Sequence, residues 1–374
     1  MTVEGTPVAS AGFALGEGWA PWPGLVCLAM RRPVAALLAV ALALGVASIV
    51  PSLSGATPKA AQPYAPTKGI AVLIDNASRF TDAQAMSIAN SMFPILVNRF
   101  HANAVSLDFP YWQSSSSSNV PKRGPMSPSP QRLAAITEVA HRYHLAVEWR
   151  PYLFEGDLTN NSRTSITPRT PAVWISNYST YLQPYLIAAS ESGASSFSVA
   201  LELTTLMPYL SSWTTLIERA KTLFSGRLFY SQQHQPMLSL PLVDHGYDAY
   251  QPINSAPTIT GFTLGFMHNF QLTGMQQTPA DLTIEELGIA AVARANSRPF
   301  YEHYSPRTRV DRPLQEAWFQ GACNAFWALH LQGLYFWAIG FGNWSPTENN
   351  ARNLYAWYDT PTQNVVASCY ARSS

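Results

Sequence analysis

The chain is poor in charge. Asp, Glu, Lys and Arg make up 12% of its 374 residues, about half of the ~25% usual in globular domains. Net charge is +1, so there is no basic surface field to attract nucleic acid, and no nucleic-acid partner is expected. Cysteine is scarce as well. Cys27 stands near the N-terminus, and Cys323 and Cys369 lie far downstream. No paired C-x-x-C occurs, which excludes a zinc ribbon. One Cys323–Cys369 bridge and two free thiols both remain open. The chain also has no G-x-S-x-G elbow, no H-E-x-x-H and no Walker A sequence, so serine hydrolase, zincin and P-loop chemistries are not supported. "VDHG" (243–246) offers Asp244 and His245 but no third ligand nearby. No metal or other cofactor is implied.

What is present is apolar and aromatic. The hydrophobic fraction, 47%, suffices for a proper core, and 12% of residues are aromatic, 11 of them Trp. Aromatics are core material first, but their flat faces also suit sugar rings. Ser, Thr, Asn and Gln supply the polarity that charge does not. Such a surface suits a secreted or cell-surface protein.

Residues 33–50, "PVAALLAVALALGVASIV", carry no charge, and Arg31 and Arg32 precede them. That order fits a signal peptide or an uncleaved membrane anchor with its N-terminus in the cytoplasm. A buried core helix is the competing reading. The chain therefore divides into residues 1–29, an upstream or disordered stretch; 30–56, the signal or anchor; 57–67, a linker; and 68–374, the catalytic domain. The chain is expected to be exported and monomeric, with a polysaccharide or oligosaccharide as its partner.

From residue 69 short apolar runs alternate with helical patterns. The runs are 69–75, 102–109, 144–152, 196–203, 227–232, 247–253, 298–304 and 333–341. Continuous apolar strands of this length suit a parallel sheet buried on both faces. Thr81 with Gln84, and Ser129 before Pro130, give helix starts. Thr283 with Glu286 predicts another cap, ahead of the seventh strand. Eight strand–helix repeats over roughly 300 residues predict an α/β fold of the (β/α)8 TIM-barrel type. A doubly wound sheet is the alternative, but "LIDNAS" after the first strand lacks the Gly-rich phosphate turn.

In such a barrel the chemistry sits at the C-terminal strand ends. Asp75, Asp108, Arg150, Glu202, Tyr230, Tyr250, Glu302 and Trp337 fall there. Glu202 ends strand four and Glu302 strand seven, on opposite sides of the mouth, so both can converge on a substrate. Two facing carboxylates, one protonated and one ionised, are what glycosidic cleavage requires. Glu202 is the expected acid/base and Glu302 the expected nucleophile. Arg150, Tyr230, Tyr250, Trp337, Asp108 and Trp112 are the expected substrate contacts. Structural readings stand beside these: a Glu202–Arg150 pair, a Glu302–Arg307 pair, and core roles for Tyr250, Trp337 and Trp344.

The segment "FSVALEL…W…LIERAKTLFSGRLFYSQ" resembles the strand-four acid/base region of glycoside hydrolase family 113, through Glu202, Trp213, Gly226, Leu228 and Tyr230. "LAVEWRPYLF" is similar to that family's third strand, with Arg150-Pro151 where Lys-Pro is usual. "VDHGYDAYQPI" resembles its sixth, through Asp244 and Tyr250. "PFYEHY" and "LQGLYFWAIG" are similar to its seventh and eighth. The resemblance spans residues 68–345. It implies a clan A (β/α)8 barrel, a retaining two-glutamate mechanism and endo-β-1,4-mannanase activity. Two departures stand out. Ala200-Leu201 precedes Glu202 where the family has Gly-Thr, and Tyr301-Glu302-His303-Tyr304 replaces a Thr-Glu-Ile-Gly-like sequence. A catalytically inactive barrel that binds glycan at the cell surface is the reading from another class, and a clan A glycosidase acting on a different glycan is a third.

Overall fold

The computed structural model describes residues 64–372 except Asn76 and residues 156–157, 159–161, 234–239, 274–280, 302–303, 306–307 and 343–353. The apolar stretch 33–50, Glu302, Arg307 and Trp344 lie outside the described residues. Among the described residues no helix is long and apolar enough to cross a membrane.

Eight parallel strands close into one barrel in chain order. They are β1 (Thr67–Leu73), β2 (Ala104–Tyr111), β3 (Ala146–Leu153), β4 (Ser196–Leu201), β5 (Arg227–Gln232), β6 (Asp244–Asp248), β7 (Thr283–Leu287) and β8 (Gly333–Gly340). Pairing of β1 with β8 closes the ring, which rules out the doubly wound sheet. The strands are buried on both faces, as in β2, where all eight residues are covered. This is why they read as unbroken apolar runs.

Helices α1 (Asp82–Asn98), α2 (Pro130–Arg142), α3 (Pro171–Glu191) and α4 (Leu210–Leu223) follow β1 to β4, and α5 (Ile259–Thr273), α6 (Arg312–Ala328) and α7 (Thr362–Tyr370) follow β6 to β8. Two of the three expected caps form. Thr81 Oγ1 accepts from the Gln84 N–H at 3.2 Å while Gln84 Oε1 accepts from the Thr81 N–H at 2.9 Å. Ser129 Oγ accepts from the Arg132 N–H at 3.1 Å. Helix α3 runs on through Pro184. Proline removes one helical hydrogen bond, but Trp174, Tyr178, Leu182 and Tyr185 are buried on one face, and that packing outweighs the loss.

Two strands are not where the sequence pattern puts them. Strand six is Asp244–Asp248 rather than 247–253, and strand seven is Thr283–Leu287 rather than 298–304. Thr283 and Glu286 are therefore strand residues and not a helix cap. The cause is local. "TIEEL" is short and has two adjacent glutamates, so it shows neither an apolar run nor clean alternation. Its Ile284 and Leu287 are nonetheless fully buried and pair with β6 and β8. The aromatic run "PFYEHY" has the composition of a strand, yet Phe300 is 54% exposed. The expectation that Glu302 ends strand seven falls with this correction.

Cys323 on α6 and Cys369 on α7 form a disulfide with Cα atoms 5.8 Å apart, which resolves the two readings left open by the cysteine count. The bridge spans 46 residues and fastens the last helix to the barrel wall. In the chain-entropy account a loop of that length stabilises by roughly 4 kcal/mol. Cys369→Ser, and reductant on the unaltered protein, should each lower the urea midpoint by a comparable amount. An unchanged midpoint in equilibrium unfolding would show that the bridge contributes little.

Candidate active site

Glu202 lies one residue beyond β4. Its N–H donates to Ser231 O on β5 at 2.8 Å, the last rung of that ladder. Its φ is +53°, the left-handed region that non-glycine residues seldom adopt, at a cost of about 1–3 kcal/mol. Such strain concentrates at functional positions, and here it falls on the residue whose carboxyl enters the cavity described below.

Strand β7 supplies two more glutamates through a bulge. Tyr247 pairs with Ile284 and Asp248 with Glu286, so Glu285 is an extra residue between the rungs. Alternation would send neighbouring side chains to opposite faces. The bulge lets both reach Arg150 of β3. Arg150 Nη1 donates to Glu286 Oε1 at 2.6 Å, and Arg150 Nε lies 3.6 Å from Glu285 Oε2. Glu286 Oε2 also accepts from the Tyr250 hydroxyl at 2.9 Å. Gly246 on β6 makes room for Glu285, since a Cβ there would lie 2.2 Å from Glu285 Cγ.

Arg150 is fully buried and meets four carboxylates: Glu286 and Asp248 at 2.6 Å, Glu285 at 3.6 Å and Asp108 at 3.7 Å. Asp248 Oδ1 further accepts from Ser231 Oγ at 2.7 Å. Glu148, also buried, faces Glu285. None of the four carboxyl oxygens of Glu148 and Glu285 has a hydrogen-bond partner among the described residues. One guanidinium cannot hold so many buried carboxylates ionised. Burial pushes Asp108 up to about 7, Glu148 up to about 7 and Asp248 up to about 8, against the pull of Arg150. Glu202 is raised well above the usual carboxylate range, first by burial and then by the charge of Asp248; Arg163 opposes that rise.

Glu202 and Glu286 line one cavity of about 540 Å³ with Tyr250, Trp337, Arg163 and the half-exposed Phe300, a size suited to a small-molecule or oligosaccharide ligand. Gly288, just past β7, keeps the aromatic wall open. A Cβ there would meet Tyr355 at 2.8 Å and Trp337 at 3.3 Å. Of the residues expected from the sequence, Glu202, Tyr250 and Trp337 thus come together.

Arg150, Asp108, Tyr230 and Trp112 are not among the described residues that line this cavity. Arg150 is consumed by its carboxylates and is paired with Glu286, not with Glu202. Asp108 is buried beside Arg150, with Ser106 Oγ donating to it at 3.2 Å. Tyr230 is fully buried on β5. Trp112 packs on Phe154 at 4.8 Å and is bonded through its backbone to Lys122, so the loop after β2 is tied down rather than free. Asp244, expected to match the family's sixth strand, is half exposed at the start of β6 and pairs with Arg227 at 2.9 Å. The buried aspartate of that strand is Asp248.

Glu286, Asp248 and Arg163 were not singled out from the sequence. A signal for the first exists: Glu286-Leu287-Gly288 matches the Glu-Ile-Gly part of the pattern that "PFYEHY" lacks. No sequence signal marks Arg163, which lies in the loop after β3.

The raised carboxylates carry a consequence for stability. An unfolded Asp or Glu titrates near ~4. A group raised in the folded state stabilises it fully below that value and loses the contribution as pH rises through the folded value. For Asp108, Glu148 and Asp248 the loss begins near the unfolded value and is complete once pH has passed their folded values of about 7, about 7 and about 8. The melting temperature should therefore fall from about pH 5 to about pH 8 and level off above it, and Glu148→Gln, which cannot ionise, should flatten the fall. A thermal series showing a level or rising midpoint over that range would contradict the raised proton affinities of these buried acids.

The fold and site can be set against known proteins. The sequence profile of Glycoside Hydrolase Family 113 matches residues 77–360. A β-mannanase of that family from Alicyclobacillus acidocaldarius superposes with a TM-score of 0.67 at 20% identity, covering 82% of this chain and 97% of its own. A second family 113 β-1,4-mannanase gives 0.69 at 15% identity, covering 82% and 99%. A family 5 mannosidase from Rhizomucor miehei gives 0.53 at 13% identity, covering 83% and 94%. A search of curated proteins found no match. At these identities the structural likeness establishes the fold, and the profile, spanning most of the chain, establishes the family: this protein belongs to glycoside hydrolase family 113 and is a glycoside hydrolase.

Proposed function

We propose that this protein is an exported, retaining, endo-acting hydrolase of β-1,4-mannan, with Glu202 as acid/base and Glu286, rather than Glu302, as nucleophile. The observation that carries the reading is the contrast between two glutamates on one cavity. Glu286 accepts a hydrogen bond on each oxygen, from Arg150 and Tyr250, and so presents a held carboxylate. Among the described residues Glu202 accepts no such pair, and burial favours its protonated form.

The contrast maps onto double displacement. Glu286 attacks the anomeric carbon as Glu202 gives its proton to the departing glycosidic oxygen, leaving a glycosyl ester on Glu286. Esterification removes the negative charge of Glu286, which is one cause of the raised proton affinity of Glu202. With its proton affinity lowered, Glu202 stays ionised after giving up its proton and is free to act as general base. It takes a proton from water, the water oxygen attacks the anomeric carbon, and Glu286 is released. Trp337, Tyr355 and Phe300 offer flat faces to the sugar chain. Mannan as substrate is supported by the family and by the named activities of the β-mannanases that share the fold. Export is supported by the Arg31-Arg32 pair ahead of an uncharged run and by the disulfide, which persists in oxidising compartments.

Glu286→Gln should abolish hydrolysis of every glycoside, since no leaving group replaces a missing nucleophile. Glu302→Gln should keep wild-type turnover on β-mannan. Glu202→Gln should lose activity on mannan but retain the first step on activated aryl mannosides, with azide restoring turnover as glycosyl azide. Full activity of Glu286→Gln, or total loss in Glu302→Gln with fold intact by circular dichroism, would reverse the nucleophile assignment. Fractionation of cells producing the full chain tests export: the enzyme should be found outside the cytoplasm or on its membrane, and a wholly cytoplasmic product would remove that part of the reading.

A further inference from the structure

The loop after β3 brings a cation to Glu202 that the barrel strands do not supply. Arg163 lines the same cavity. Its Nε lies 3.8 Å from Glu202 Oε2, beyond hydrogen-bond reach but close for two charges of opposite sign. Glu155, on the same loop, clamps it. Glu155 Oε1 accepts from the Arg163 backbone N–H at 2.7 Å and from Arg163 Nε at 3.0 Å. The guanidinium also lies over the Tyr152 ring at 5.3 Å. A salt bridge, a backbone bond and a stacked face fix a side chain that is otherwise long and rotatable. Its side chain is 19% exposed, so solvent screens it only partly.

We propose that Arg163, clamped by Glu155, is a positioning residue that sets the proton affinity of Glu202. The proposal rests on Glu202 being the acid/base. The groups facing Glu202 divide by sign. Asp248 from β6 and Glu286 from β7 favour its protonated form, and Tyr230 from β5 is fully buried nearby. Arg163 and Arg150 favour the carboxylate, with Arg163 the larger of the two. Arg150 is committed to Glu286 and Asp248. Among the described residues Arg163 is the cation left to keep Glu202 from staying protonated when, in the second half of the reaction, it must accept a proton from water. A residue that only walled the cavity would not need the Glu155 clamp or a charge facing Glu202. The placement also accounts for a departure in sequence: Ala200 and Leu201, which precede Glu202, are buried and apolar, so the polar neighbour of this acid comes from a loop instead of from its own strand.

The test is the pH dependence of kcat/KM on mannooligosaccharides, whose poor leaving group makes protonation by Glu202 necessary. Removing a cation from 3.8 Å disfavours the carboxylate, so the alkaline limb should move upward. In Arg163→Met and Arg163→Gln it should rise by roughly one pH unit, the lower end of what an opposite charge at this range produces. Arg163→Lys keeps the charge and should leave the limb near its wild-type position. The Gln variant keeps a polar side chain in place should the Met variant fold poorly. An unmoved limb in both neutral variants, with only KM or stability altered, overturns the proposal and leaves Arg163 as a wall residue. Glu202→Gln on activated aryl mannosides with azide is run alongside. Rescue there locates any failure in Arg163, whereas no rescue overturns the acid/base assignment itself.

Discussion

The buried Arg150 guanidinium is the constraint on which the rest of the site depends. A charge with no exposure survives in a barrel core only if countercharges surround it. Asp108, Asp248, Glu285 and Glu286 arrive from β2, β6 and β7 to do so. Because each comes from a different strand or rung, satisfying Arg150 fixes the relative register of half the ring. The surplus of acids over the single cation means that protons remain in the core near neutral pH. The site is therefore built from groups whose protonation states depend on one another, and Glu286 is selected within it because Tyr250 completes its second oxygen.

The β7 bulge converts this electrostatic core into a catalytic arrangement. Without the extra residue, Glu285 and Glu286 would point to opposite faces of the strand. With it, one is held beside Glu148 and the other reaches the cavity. Gly246 and Gly288 serve this geometry by leaving space for Glu285 and for the Trp337–Tyr355 wall. On the opposite side Glu202 reaches the same cavity by leaving its strand through a strained left-handed conformation. Two irregularities of backbone, one on β4 and one on β7, thus bring the acids together where regular strands would not.

Loops complete what strands begin. The segment after β7 carries Phe300 and Tyr301 to the cavity rim, and the segment after β3 carries Glu155 and Arg163. Neither belongs to the barrel's repeating pattern. This division is a general property of the fold, in which a rigid ring positions the reacting groups and variable loops define what they act upon.

The sequence by itself determined the barrel, most of its strands, two helix caps and the place of Glu202 at the end of strand four. These follow from apolar runs, local propensities and a lone acid at a strand end, all signals carried by neighbouring residues. It also marked Arg150, Tyr250 and Trp337 as important, although it assigned Arg150 to the substrate when its partners are carboxylates. Only the tertiary structure decided that strand seven is "TIEEL" and that Glu286 is the acid it brings to the cavity. Two adjacent glutamates look like a solvated face or a helix start until Arg150, 136 positions away along the chain, is seen to neutralise them. The approach of Arg163 to Glu202 was decided there too. Loop conformation and long-range charge compensation leave no periodic trace in a sequence, because they depend on which strands become neighbours once the ring has closed.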